Sequence, residues 1–210
     1  MLDMALYLHI FITLFSILNP LGVIPIFLAV TADENALEKK ITIKRTTTAV
    51  IIILILSAYL GDYLLKFFGI NIDSFRIAGG ILLLLMAVHM LQAKIPSTKT
   101  NDTETNEAIE KEDVSIVPLA IPLTAGPGTI STVILFSSNM HTFFDKTVLS
   151  IIIVLAAVTI WPILTLSRTI GERLGATGLN VATRIMGLIL AAIAVQFIIE
   201  GIHAFIKTNA

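Results

Sequence analysis

The chain has 210 residues, 56% of them hydrophobic and 14% charged, with a formal net charge of −1 and no cysteine. Soluble domains carry roughly 25% charged residues, so a mean hydropathy of +0.92 excludes an ordinary water-soluble fold. The near-neutral balance gives no basic footprint for nucleic acid, and the missing cysteines exclude a disulfide framework, a thiolate metal site and a thiol nucleophile.

A helix needs about 20 mostly apolar residues to cross roughly 30 Å of hydrocarbon, and six segments meet or approach that length. The first, Met4–Val30, has only the acidic Asp3 ahead of it and no Ala-x-Ala site. It therefore reads as a mature span rather than a secretion signal. It is interrupted by Asn19-Pro20-Leu21-Gly22-Val23-Ile24-Pro25. The second, Thr46–Leu65, is plain and closes with Gly61-Asp62. The third, Ile77–Leu91, is short and is expected to extend back through Asp73–Arg76. Lys94–Asp113, rich in Thr, Asn and Glu, lacks apolar periodicity and reads as a polar cytoplasmic loop. The fourth span, Val114–Ser138, is interrupted by Pro122-Leu123-Thr124-Ala125-Gly126-Pro127-Gly128. The fifth, Thr147–Ser167, carries a kink with an aromatic anchor at Trp161-Pro162. The sixth, Ile185–Phe205, follows directly on Arg184.

The two halves resemble each other. Arg76-Ile77-Ala78-Gly79 matches Arg184-Ile185-Met186-Gly187, and Gly61-Asp62 matches Gly171-Glu172. Three spans per half is odd, so two copies must enter the membrane from opposite sides. The expected fold is an all-α membrane protein of six transmembrane helices. Two inverted three-helix repeats (1–93 and 114–210) flank the loop 94–113, and the first and fourth helices are broken. Basic residues concentrate on one side at Lys39, Lys40, Lys44, Arg45, Lys94, Lys99, Lys111, Arg168, Arg173 and Arg184. The other side has Lys66, Arg76, Lys146 and Lys207. The positive-inside rule then puts both termini outside.

Proline removes a backbone donor and clashes one turn back. A membrane helix carries such a break only where protein or trapped water satisfies the freed groups. Paired breaks in matching spans point to a binding site at mid-membrane. Half-helix N-termini suit a carboxylate, and freed carbonyls suit an ammonium or a sodium ion. The candidate substrate-binding residues are Asn19, Pro20, Gly22, Pro25, Pro122, Thr124, Ala125, Gly126, Pro127 and Gly128. Thr129, Ser131 and Thr132 add neutral donors and acceptors. The competing reading is that Pro and Gly kink these helices for packing alone.

Ionisable residues are scarce inside the spans. Asp62, Arg76, Glu172 and Arg184 fall near span ends and are candidates for gating or coupling, with snorkelling to the interface as the alternative. Gln196, Glu200 and His203 share one helical face and read as an interface anchor. His9 and His89 read as packed side chains. Gly79-Gly80 and Gly187-x-x-x-Ala191 offer small faces for packing within the monomer or in a homo-oligomer. No His-Glu-x-x-His, Gly-x-Ser-x-Gly or Walker-type motif occurs, so the expectation is no enzyme, no metal and no cofactor. Proton and sodium coupling both stay open.

With these residues in view, the chain resembles the MarC family of six-span bacterial and archaeal membrane proteins. The resemblance runs from Leu8 to about Phe205. It rests on Asn19-Pro20-Leu21-Gly22 with Pro25, on Phe75-Arg76-Ile77-Ala78-Gly79-Gly80, and on Pro118-Leu119-Ala120-Ile121-Pro122 leading into Ala125-Gly126-Pro127-Gly128. It implies an inner-membrane protein with two related halves, in a broader group that includes amino-acid exporters. Some members are described as transporters of small neutral amino acids such as glycine and alanine. The expectation is a secondary transporter of a small neutral solute working by alternating access. A drug or metabolite efflux protein and a non-transporting membrane scaffold are the alternatives.

Overall fold

Asparagine and threonine caps, glycine stops and long apolar runs leave the backbone little choice but helix, and every regular element among the described residues is helical. The structure, a computed structural model, describes residues 4–92, 115–140 and 142–209. The Lys94–Asp113 loop lies outside the described residues.

The first apolar run divides into α1 (Met4–Leu18) and α2 (Pro20–Val30). Helix α3 (Ala36–Phe67) starts before the expected Thr46, on a capping box. There Asn35 Oδ1 accepts from Glu38 N at 3.1 Å, and Asn35 N donates to Glu38 Oε2 at 2.8 Å. It stops at Gly69, whose φ of +66° and the Ile70 N–Leu65 O bond of 2.8 Å form a Schellman turn. Helix α4 (Ile72–Leu91) takes in Asp73–Arg76, as the short third span required, and is capped by Asn71.

The fourth run divides into α5 (Ser115–Thr124), wound with π-type hydrogen bonds, and α6 (Pro127–Ser138). Helix α7 (Phe143–Val158) passes at Thr159 into α8 (Ile160–Thr165), the step being set by Pro162. Helix α9 (Ser167–Asn209) is longer than the expected sixth span and is kinked at Gly175, where φ is 62° and ψ 179°.

Five stretches are long and apolar enough to cross a membrane: Met4–Val30, Ala36–Phe67, Ile72–Leu91, Phe143–Thr165 and Ser167–Lys207. The expected fourth span is not among them. Its described part falls into segments of 10 and 12 residues, each too short alone.

The interrupted runs form the centre of the bundle. In Met4–Val30, 61% of the most apolar window is buried, against 28% to 39% in the other four stretches. In α6, Gly128, Thr129 and the whole run Ser131–Ser137 are buried. Broken helices belong where protein covers their freed backbone groups, so this placement is the one that physics favours. The outer helices expose Ile52, Leu56, Ile151, Leu155, Leu188 and Ile199, an apolar surface that suits lipid and not water.

Glycines set the closest approach. Gly80 faces Ala194 and Ile198, Gly187 faces Ala87 and Met90, and Gly201 faces Asp73 and Ile77. Helices α4 and α9 therefore run antiparallel. A Cβ at Gly80 would stand 2.9 Å from the Ala194 carbonyl oxygen. The two small-residue faces noted in the sequence are thus used inside the monomer. Elsewhere α3 packs on α5 and α6, α4 on α6, α1 on α7 and α6, and α2 on α5, α8 and α9.

Candidate functional site

The first break turns on one residue. Asn19 adopts φ 43° and ψ 56°, the left-handed region that asparagine tolerates better than other residues with a Cβ. Its N–H still donates to Phe15 O at 3.1 Å, closing α1. Its Oδ1 then accepts from Gly22 N at 3.3 Å, capping α2, while Pro20 at the first helical position has no N–H to satisfy. A Cβ at Gly22 would fall 2.1 Å from Asn19 Nδ2. Glycine there leaves room for the cap. Asn19 and Pro20 are buried and Gly22 is partly buried, but Pro25 is exposed.

The second break is spread over a longer stretch. Ala125 N donates to Ala120 O at 2.8 Å, five residues back, and Thr124 Oγ1 donates to Leu119 O at 2.7 Å. Gly126 is extended, with φ −78° and ψ 176°, and caps α6 without a side chain. The hydroxyls of Thr129 and Thr132 donate to Thr124 O at 3.0 Å and Gly128 O at 2.8 Å, and Ser131 also donates to Gly128 O. Their protons are therefore spent on backbone carbonyls, and what they offer a ligand is lone pairs. Thr124, Ala125, Gly126 and Gly128 are buried, while Pro127 is exposed. Pro122 lies in α5 with its side chain outside the described part.

The structure brings the two broken apolar runs into contact, α1 on α6 and α2 on α5. From its break each second half-helix runs outward, α2 to a cleft at one end of the bundle and α6 to a cleft at the other.

The first cleft, of about 580 Å³, is lined by Phe27 of α2 with Glu34, Lys39, Lys40, Trp161 and Arg168 among others. The second, about 270 Å³, is lined by Phe136 of α6 with His9, Arg76, Asn139, Gln196 and Glu200 among others. Helix α9 reaches both, Arg168 in its first turn and Gln196 and Glu200 near its far end. From Pro20 to Phe27, or Pro127 to Leu135, is about 10–12 Å of helix at 1.5 Å per residue. The breaks therefore lie between the clefts, and the break residues line neither of them.

The four ionisable candidates do not converge. Asp62 pairs with Lys66 at 2.8 Å, and Glu172 pairs with Arg168 at 2.9 Å, each one turn apart on its own helix. Such exposed pairs contribute little. Arg184 is exposed and has no ion pair among the described residues. Arg76 differs. Its side chain is only 17% exposed and its Nη1 lies 3.6 Å from Glu200 Oε2 across the α4–α9 contact.

Gln196 Nε2 donates to the other oxygen of Glu200 at 2.8 Å. The four- and three-residue spacing in α9 was readable as a shared face; that Arg76 and His9 stand at the same cleft as Gln196 and Glu200 was not. His89 lies apart, its Nδ1 2.7 Å from Leu85 O on its own helix. Among the described residues no cluster of His, Asp and Glu could hold a metal ion.

Apolar helices with a lipid-facing exterior and a polar, interrupted centre define an integral, multi-pass membrane protein. The match to MarC family integral membrane proteins covers residues 4–206, and the chain belongs to that family. It is 40% identical over 200 residues to the UPF0056 membrane protein YhcE of Escherichia coli (strain K12), covering 95% of this chain and 93% of that one. It is 37% identical over 202 residues to the UPF0056 membrane protein MJ1677 of Methanocaldococcus jannaschii, covering 96% and 98%. A UPF0056 membrane protein of Aquifex aeolicus is 32% identical over 203 residues, covering 97% and 95%. No solved structure matches.

Proposed function

We propose that this protein is a secondary transporter of a small neutral solute, a small amino acid such as glycine or alanine, working by alternating access. The observation that carries the reading is a two-fold exchange in the packing. Swapping α1–α2 with α5–α6, α3 with α7–α8, and α4 with α9 turns the contact of α3 with α5 into that of α7 with α1. It likewise turns α3 on α6 into α8 on α2, α4 on α6 into α9 on α2, and α1 on α6 into α5 on α2. The α4–α9 pair maps onto itself and is antiparallel, as an axis in the membrane plane demands. This supports six crossings arranged as two inverted three-helix repeats, with residues 1–93 and 114–210 as the halves.

In this reading α5 and α6 together make the fourth crossing, and the breaks are the mid-membrane site. The two clefts are its opposite approaches, and a rocking of the halves opens each in turn. Lys39, Lys40 and Arg168 at the larger cleft favour the cytoplasmic side for it, which puts both termini outside and the protein in the plasma membrane. The protein is not an enzyme, and its driving ion is a proton or sodium.

The test is uptake of labelled glycine and alanine into proteoliposomes, with and without imposed proton and sodium gradients. Saturable uptake in the wild type, lost in Asn19→Ala and Gly126→Leu, is the expected result. Correctly folded wild-type protein that takes up neither solute would sink the amino-acid reading.

A further inference from the structure

The smaller cleft pairs opposite charges at the contact of two helices from different halves. Arg76 is mostly buried, yet its separation of 3.6 Å from Glu200 exceeds the 2.7–2.9 Å of a charge-assisted hydrogen bond. Glu200 is meanwhile fixed from its other side by Gln196. The guanidinium therefore keeps its donors for something else, and the carboxylate, 46% exposed, keeps accepting capacity.

Around this pair the walls are apolar. Phe136 stands edge-on to Phe197 with ring centroids 6.2 Å apart, and His9 stands edge-on to Phe136 at 6.4 Å. Drug-sized ligands take pockets of about 300–1,000 Å³, and a volume of about 270 Å³ suits a small molecule.

We infer that this cleft is a binding site for a small zwitterion bearing a carboxylate and an ammonium group, with Arg76 receiving the carboxylate and Glu200 the ammonium. The two opposite charges face each other across the contact of α4 and α9. A lone anion entering would take Arg76 and leave Glu200 uncompensated in a partly desolvated place, and a lone cation would do the reverse. A zwitterion replaces both partners at once and keeps the cleft neutral. Asn139 and His9 at the rim add hydrogen-bonding capacity, and the ring faces accept a short aliphatic group.

The site is distinct from the breaks in spans one and four. It rests on the cleft's own geometry, and the transport reading supplies only the choice of probe.

The experiment is equilibrium binding of labelled L-alanine to the full-length protein in nanodiscs, with no gradient and no uptake involved. Saturable binding is expected, with affinity reduced at least tenfold in Arg76→Gln and in Glu200→Gln and unchanged in Arg184→Gln. Ethylamine and propionate, each carrying one of the two charges, are expected not to displace alanine at tenfold excess. Glu200 is the more exposed partner, so Glu200→Gln serves if Arg76→Gln does not fold. Absence of saturable binding, binding untouched by Glu200→Gln, or displacement by propionate alone would each overturn the inference. Binding without uptake would leave this site standing and remove the amino-acid transport reading; uptake with unaltered binding in both variants would do the opposite.

Discussion

In the first span the helix is reset at one position, by the left-handed backbone of Asn19, with Gly22 N donating both to its carbonyl oxygen at 2.9 Å and to its side-chain Oδ1 at 3.3 Å. In the fourth apolar run the helix widens before Gly126 and is then re-formed by hydroxyls, with Thr124, Thr129 and Thr132 each satisfying a carbonyl. One break is concentrated in a single residue, and the other is distributed over a run of small residues. A concentrated break is sensitive to the identity of its one residue. A distributed break tolerates the loss of any single hydroxyl and is sensitive mainly to bulk.

The contrast can be broken most forcefully by steric means. Gly128→Leu puts a Cβ 3.0 Å from Leu83 Cδ2 and drives α6 off α4. The expected cost is about 1–3 kcal/mol, as for overpacking of a filled core, read as a lowered unfolding temperature in detergent. Next comes Asn19→Ala, which loses both the left-handed preference and the cap, for about 1–2 kcal/mol. Asn19→Gly keeps the backbone freedom and should cost only about a few tenths of that unit. Equal damage from alanine and glycine would mean that the side-chain bond, rather than the backbone, carries the turn.

Thr124→Val should cost about 1 kcal/mol, one hydrogen bond's worth, and leave the fold intact by circular dichroism. A collapse comparable to Gly128→Leu would show the second break to be as concentrated as the first. Smallest of all, Arg184→Gln should stay within about 0.5 kcal/mol of wild type, as surface changes do. A larger shift would restore the equivalence of Arg184 with Arg76 that the matching Arg-Ile-x-Gly motifs imply.

What could be read from the chain, and what could not, divides along the same line. Proline, glycine and long apolar runs act locally, so Asn19-Pro20 and Gly126-Pro127 were legible as breaks, and the helical class followed from hydropathy. The start of α3 was also written locally, in Asn35 and Glu38, but hydropathy alone put it at Thr46, past the polar first turns.

The π-type winding of α5 depends on Ala125 reaching Ala120, and no residue type encodes that spacing. The pairing of Arg76 with Glu200 joins helices far apart in the chain and needs the α4–α9 contact to exist first. Pro25 and Pro127 matched the candidate site by motif, and both are exposed where Asn19, Pro20 and Gly126 are buried. A motif fixes a backbone bend without fixing which way the ring points.

Gly175 lies at the kink of α9 with no atom within 4 Å of where a Cβ would sit. Space is therefore no obstacle to a side chain there; handedness is. An L-residue at φ 62° and ψ 179° is strained, whereas the mirror image of that conformation is ordinary extended backbone. A D-alanine introduced at 175 by semisynthesis would keep the kink, restrict the unfolded chain and stabilise the protein, while L-alanine at the same position would straighten or strain it. At this bend, selection for glycine is selection for the one coded residue without chirality.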